Sequence, residues 1–134
     1  VRVKINPVRA MIEGKRICIV DDSIVRGTTM ITRVHKLREL GAKEVHIRIS
    51  CPPIRFPCYY GIDFASPKEL IAANHSLEEM KKMLDVDSLH YLSIEGLLRS
   101  VMHSDSYCLA CFNGEYPVPP CRQYGKFILE KTHS

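Results

Sequence analysis

Hydrophobic spacing in the first half of the chain changes twice, and each change predicts a new element. Ile17 to Val20 is an unbroken apolar run, which is typical of a strand buried on both faces of a parallel sheet. Helical spacing follows and ends at Gly41, with apolar positions at Met30, Ile31, Val34, Leu37 and Leu40. Alternation from Val45 to Ser50 then predicts a second strand. Strand, helix and strand in this order indicate a right-handed parallel crossover and an α/β fold.

The second half carries weaker signals. Three prolines between Pro52 and Pro57 predict an irregular loop, and a short helix is expected from Pro67 to Asn74. Ser76 to Glu79 has the form of a capping box ahead of a helix with apolar positions at Leu77, Met80 and Leu84. A short strand over residues 88–92 and a last helix capped by Ser93 complete the prediction.

Composition narrows the class of protein. The 134 residues are 46% hydrophobic and 25% charged, which is ordinary for one soluble globular domain. The formal charge of +4 is mild, so it suits small anionic substrates and does not indicate a nucleic-acid partner. The sequence shows neither a membrane-spanning stretch nor the apolar core of a signal peptide, so a cytoplasmic protein without a membrane partner is expected.

The junction between the first strand and the helix carries the candidate chemistry. Asp21 and Asp22 close the strand, and their carboxylates suit sugar hydroxyls or Mg²⁺. Gly27 allows close approach of the backbone to an anion at the helix N-terminus, where hydroxyls are also available from Ser23, Thr28 and Thr29. A solvated or helix-capping acidic turn is the alternative, with Arg26 facing solvent. The pattern predicts a phosphate and sugar site.

The six cysteines allow several interpretations. Cys18 lies inside the apolar strand and is expected to be a small buried hydrophobe. Cys108 and Cys111 form a CxxC pair in a turn-rich segment, which fits a shared metal centre, a redox pair or two reduced thiols. The histidines at 75, 90 and 103 lack ligand spacing and are not expected to bind metal.

The run Val20 to Thr29 resembles the 5-phosphoribosyl pyrophosphate (PRPP) loop of type I phosphoribosyltransferases, in the form seen in glutamine PRPP amidotransferases. Other stretches resemble the same family: Glu44–Ile49, Ser50–Ile54, Pro57–Asp63, Glu69–Ala72, Leu92–Leu97 and Cys108–Cys111. The resemblance implies a partial type I phosphoribosyltransferase domain with a parallel sheet. Residues 1–92 would be the C-terminal half of that domain and residues 93–134 a helix with an irregular CxxC tail, the N-terminal glutaminase domain being absent.

The resemblance also implies a function. The chain would be the PRPP-binding portion of an amidophosphoribosyltransferase, which makes 5-phosphoribosylamine from PRPP and glutamine in the first step of de novo purine synthesis. The fragment alone is expected to be inactive, with Lys4 its one candidate for a catalytic contact. Mg²⁺ would lie at Asp21 and Asp22. PRPP would contact Asp21, Asp22, Ser23, Ile24, Val25, Arg26, Gly27, Thr28 and Thr29.

Further partners follow from the same resemblance. One branch of the family holds a [4Fe–4S] cluster, and Cys58, Cys108 and Cys111 fall at three of its ligand positions. The fourth position lies upstream of Val1. Cys51 or Cys121 could substitute for it, although neither matches that position. Ammonia from the glutaminase domain, inhibition by purine nucleotides and a homo-oligomer are expected. Residues 121–134 receive no function. The alternatives are a PRPP-sensing regulator and a salvage phosphoribosyltransferase.

Overall fold

Three parallel strands form the sheet, in a computed structural model that describes residues 8–62, 66–102 and 104–119. The strands are β1 (Arg16–Asp21), β2 (Glu44–Ile49) and β3 (Ser88–Tyr91), and β2 lies between the other two. Asp21 lies beside Ile49, and Ile49 lies beside Tyr91. The carboxyl ends of all three strands therefore meet at one edge of the sheet, and the predicted parallel α/β arrangement is confirmed.

The helices are short except for one. They are α1 (Arg9–Ile12), α2 (Thr28–Glu39), α3 (Ile71–Asn74), α4 (Leu77–Met83), α5 (Ile94–Arg99) and α6 (Ala110–Asn113), with 3₁₀ turns at Pro67–Glu69 and Ser104–Ser106. Within the described ranges, no helix has the length and apolar character needed to cross a bilayer. The helix expected from Pro67 to Asn74 is divided at Leu70, which has an extended backbone.

The core lies against one face of the sheet. Val45, Ile47 and Ile49 are buried, whereas the residues between them are only partly buried. The buried face packs against Met30 and Val34 of α2 and, from further along the chain, Met80 and Leu84. The helical and alternating patterns of the first half are therefore confirmed, since the predicted apolar positions are the ones that pack. Gly41 follows α2 with φ +86°, as a helix C-terminus requires.

The opposite face of the sheet differs from the prediction. Cys18 is exposed and Val20 is 73% exposed, so the expectation that β1 is buried on both faces was wrong, as was a buried Cys18. Their neighbours across the register are His46 and Arg48, and His46 bonds Ser88 at 2.9 Å. The side chains that alternate with the core residues thus form an outer face that mixes polar and apolar groups, because the core of this chain covers only one face of the sheet.

The cap of α4 is confirmed. Ser76 Oγ accepts a hydrogen bond from the Glu79 backbone N–H, while the Glu79 carboxylate accepts one from Ser76 N at 2.7 Å. Ser93 likewise accepts from Gly96 N at the start of α5. Leu77 is 43% exposed, so its assignment to the apolar face was wrong. As the first residue of α4, it lies outside the turn that meets the core.

Asp87 joins the helix α2 to two strands. Its Oδ2 accepts from Val45 N at 2.7 Å and from Arg38 Nη2 at 2.9 Å. The Val45 hydrogen bond and then the Arg38 charge hold the pKa of Asp87 below its usual value. A carboxyl whose pKa is lowered by folding stabilises the protein above its unfolded pKa of about 3.9, and the contribution is lost as pH falls through the lower folded pKa.

The Asp87→Asn variant should therefore be less stable than wild type at neutral pH and should lose less stability on acidification. Urea unfolding between about pH 6 and pH 3 measures the difference. Asp105→Asn, at an exposed carboxyl, is the control and should follow the wild-type profile. Parallel profiles for wild type and Asp87→Asn would contradict the assigned role.

Candidate phosphate and sugar site

A cavity of about 370 Å³ opens where β1 ends and α2 begins. This is the carboxyl edge of the sheet, where open α/β folds bind ligands. The cavity is lined by Asp21, Asp22, Ser23, Ile24, Val25, Arg26, Gly27, Thr28, Thr29, Met30 and Arg33. The structure thus brings all the residues predicted from the loop around one space, and it adds Met30 and Arg33.

Contacts with the core and with α3 hold the backbone of the loop between β1 and α2 in place. Ile24 is buried in the core, and the Val25 carbonyl accepts from Ile71 N at 2.9 Å, so the loop is tied to α3. Gly27 has φ +82°, in the left-handed region. A Cβ at Gly27 would lie 2.9 Å from Ile71 Cδ1. The conformation therefore favours glycine where the loop enters the helix, and a Cβ there would also require the end of the Ile71 side chain to move.

Replacing Gly27 by alanine should lower the free energy of unfolding by about 1 to 2 kcal/mol from backbone strain, with a further loss from the contact with Ile71. Gly14→Ala is a matched control, because Gly14 also has a positive φ but has open space around its missing Cβ. Urea denaturation of both variants measures the difference. A Gly27→Ala loss no larger than that of Gly14→Ala would contradict the packing argument.

The start of α2 presents unpaired donors to the cavity. Gly27 is the N-cap residue and has no side chain, so within the described part of the chain no cap side chain covers the first N–H groups. Thr28 and Thr29 are exposed there and supply hydroxyls. The α2 helix runs for 12 residues, and its positive end faces the same space. These features suit an anion such as phosphate.

The two carboxylates of the site have different surroundings. Asp21 Oδ1 accepts from Asp22 N at 3.1 Å, and its Oδ2 accepts from Arg33 Nη1. Asp22 is exposed and accepts from Ser23 Oγ at 2.6 Å. Both carboxylate oxygens of Asp21 are therefore hydrogen-bonded within the protein. Asp22 has one carboxylate oxygen without a hydrogen bond to any described residue.

Two arginines at the cavity have separate roles in the fold. Arg26 is 57% exposed and pairs with Glu69 at 3.2 Å, which places it at the rim. Arg33 was missed by the sequence analysis. The signal that can find it is helical spacing, because Arg33 follows Thr29 by one turn and so shares the face that begins at the site.

Hydrogen bonds join the loop after β2 to the segment around α6. Arg55 N and Phe56 N donate to the Cys111 carbonyl at 2.9 and 3.1 Å. Tyr116 Oη donates to the Pro57 carbonyl at 2.7 Å, and Tyr60 Oη donates to the Val118 carbonyl. These contacts bring residues that are distant in sequence into one neighbourhood.

Cys58, Cys108 and Cys111 lie in that neighbourhood. Burial raises the pKa of Cys111, and negative charge on Cys58 and Cys108 raises it further. Burial also raises the pKa of Cys51 to about 11, with smaller contributions from Asp22 and Cys111. In the described ranges, no three His, Cys, Asp or Glu side chains surround a position for a single metal ion. The predicted contacts of Lys4 and the alternative ligand Cys121 lie outside the described residues.

The chain is similar in sequence to amidophosphoribosyltransferases. The chain is 56% identical over 117 residues to an amidophosphoribosyltransferase of Methanocaldococcus jannaschii. It is 53% identical over 122 residues to the amidophosphoribosyltransferase of Bacillus subtilis. Each alignment covers 87% of this chain. The Synechocystis enzyme is 52% identical over 97% of the chain. This chain is a relative of the amidophosphoribosyltransferases. No family model matches it.

Solved structures agree with the sequence comparison. The chain matches the Bacillus subtilis glutamine PRPP amidotransferase complexed with ADP and GMP at a TM-score of 0.84 and 47% identity, over 96% of this chain. The parallel-sheet type I phosphoribosyltransferase fold is therefore confirmed. The chain spans about a quarter of the length of the amidophosphoribosyltransferases named above and 30% of the solved chain.

Proposed function

We propose that this chain is the PRPP-binding portion of an amidophosphoribosyltransferase, which makes 5-phosphoribosylamine from PRPP and glutamine in the first step of de novo purine synthesis. The observation that carries the proposal is a cavity at the carboxyl end of β1 that is lined by the whole run Asp21–Thr29. The identity to amidophosphoribosyltransferases across most of the chain supports it. The comparisons do not favour the regulator or the salvage enzyme.

The site has separate parts for the two ends of a sugar phosphate. The open N–H groups of α2, with the hydroxyls of Thr28 and Thr29, hold the 5′-phosphate by hydrogen bonds and by the helix dipole. Ser23 lines the same cavity, where its hydroxyl donates to Asp22. The carboxylates of Asp21 and Asp22, at the end of β1, accept hydrogen bonds from the ribose hydroxyls.

The reaction at C1 of the sugar replaces one bond by another. The C1–O bond to pyrophosphate breaks, a C1–N bond to ammonia forms on the opposite face, and the configuration inverts. The residues of this chain contribute position and electrostatic stabilisation, since the site offers carboxylates near the ribose and donors near the phosphate. Mg²⁺ beside Asp21 and Asp22 would neutralise the leaving pyrophosphate. We assign no general base.

The cysteine neighbourhood supports a second binding role. Cys58, Cys108 and Cys111 would each supply one thiolate to a [4Fe–4S] cluster, and we assign no fourth ligand. A four-iron cluster binds a thiolate at each iron, so its ligands lie further apart than those of a single ion. The cluster would tie the loop after β2 to the segment around α6, remote from the reacting sugar.

The remaining parts of the proposal concern the whole enzyme. Residues 1–92 would be the C-terminal half of the phosphoribosyltransferase domain and residues 93–134 its helix and CxxC tail. A glutaminase domain would supply the ammonia. The enzyme would be a cytoplasmic homo-oligomer, and purine nucleotides would inhibit it. The complex of the Bacillus subtilis enzyme with ADP and GMP supports nucleotide binding.

Substrate consumption tests the proposed activity. The complete enzyme containing this chain should release pyrophosphate from PRPP and Mg²⁺ when ammonium or glutamine is added, and it should leave adenine, guanine and hypoxanthine unchanged. Consumption of free purine bases alone would contradict the proposal and favour a salvage enzyme. Consumption of neither, with PRPP changing the affinity for DNA, would favour the regulator.

A further inference from the structure

Arg33 is a cation inside the candidate site that the sequence analysis did not include. It lies on α2 and lines the cavity beside Asp21. Its Nη1 donates to Asp21 Oδ2, and the side chains of the two residues are 31% and 29% exposed. Arg33 Nε is buried and has no hydrogen-bond partner among the described residues. The guanidinium therefore belongs to the wall of the cavity more than to the solvated surface of the helix.

The ion pair fixes the orientation of Asp21. One carboxylate oxygen accepts from the Asp22 backbone and the other accepts from Arg33, so the group is held at both ends. A carboxylate offers about four acceptor positions, and no other side-chain contact of Asp21 occupies them among the described residues. Because the pair is two-thirds covered, it is screened less than a fully exposed one. Asp21 can accept from a ligand in one fixed orientation.

We propose that Arg33 is a positioning residue for the sugar part of the ligand. By holding Asp21, it directs the free acceptor positions of that carboxylate to the hydroxyls of a ribose whose phosphate is bound at the start of α2. The proposal rests on the function proposed above. It assigns Arg33 an effect on sugar recognition and none on the phosphate.

Two ligands separate these effects. Inorganic phosphate probes only the start of α2, and ribose 5-phosphate probes the same contacts together with the sugar. The ratio of the two affinities, measured by isothermal titration of the 134-residue chain, reports what the sugar adds. The Lys36→Gln variant is a matched control, because it removes one positive charge from an exposed position on the same helix.

Wild type and Lys36→Gln should bind ribose 5-phosphate at least about tenfold more tightly than phosphate. Arg33→Gln should lower that ratio about tenfold, as expected for loss of an aligned charge-assisted acceptor, and should leave phosphate affinity unchanged. In an Asp21→Asn background, Arg33→Gln should have no further effect on the ratio. Arg33→Lys, which keeps the charge but lacks the planar fork, should lower the ratio about threefold.

The possible failures are distinct. If folded wild type shows no preference for ribose 5-phosphate over phosphate, the proposed function fails and this inference fails with it. If wild type shows the preference and Arg33→Gln keeps it, or weakens both ligands equally, the function stands and the positioning role is wrong. Should Arg33→Gln prove unfolded in a thermal melt, an unchanged ratio in Arg33→Lys would overturn the role in the same way.

Discussion

Replacing Asp22 by asparagine should lower the affinity of this chain for PRPP with Mg²⁺ by at least about tenfold. A hydrogen bond to an ionised group contributes about 1.5 to 3 kcal/mol, and the amide keeps the size of the carboxylate but not its charge. Asp22 is exposed and its described side-chain partner is Ser23, so little of the fold depends on it. Isothermal titration with PRPP and Mg²⁺ measures the loss.

A matched variant controls for net charge. Glu39→Gln removes one negative charge from the far end of α2, where the side chain is exposed and pairs with Lys36. This variant should bind PRPP as wild type does. Equal affinities of Asp22→Asn and Glu39→Gln, with both proteins folded by circular dichroism, would show that Asp22 does not contact the ligand.

Replacing Ile47 by alanine should lower the free energy of unfolding by about 2 to 5 kcal/mol. Ile47 lies in the middle of the central strand β2 and is fully buried, beside Ile19 on one side and Leu89 on the other. The lost methyl groups leave a cavity that the strands on both sides cannot close. Since whole domains are stable by about 5 to 15 kcal/mol, urea unfolding should show a large shift.

Val20→Ala is the companion measurement, because it also shortens a β-branched residue of the sheet. Val20 is 73% exposed on the opposite face, so its loss should cost less than about 0.5 kcal/mol. A loss at Val20 as large as that at Ile47 would mean that the outer face of β1 is covered in solution, and the account of a one-sided core would be wrong.

The contrast between β1 and β2 shows which features of the fold follow from sequence. Alternation at Val45, Ile47 and Ile49 distinguishes the two faces of a strand, so the buried face of β2 was predictable. In an unbroken apolar run such as Ile17 to Val20, both faces of the strand are apolar. The pattern therefore does not show which face packs against the core. The prediction that Val20 is buried rested on the general rule that parallel sheets are covered on both faces, and it was wrong.

The same limit applies to the site. Its loop was predictable because the carboxylates, the glycine and the hydroxyls are consecutive between Asp21 and Thr29. Helical spacing places Arg33 on the same face of α2 as Thr29, but its contact with Asp21 could not be predicted, since that contact depends on the direction of α2 relative to β1. The CxxC spacing is visible in the sequence. That Cys58 lies in the same neighbourhood as this pair depends on the hydrogen bonds that Tyr60 and Tyr116 make between the two segments.

Calorimetric titration of the 134-residue chain with PRPP and Mg²⁺ tests the central claim most directly. The comparison protein is the Asp21→Asn, Asp22→Asn double variant, shown to be folded by circular dichroism. The account predicts saturable binding at one site by wild type and its loss in the double variant. Equal binding by the two proteins, or no binding by folded wild type, would contradict the claim that the loop between β1 and α2 is a formed PRPP site.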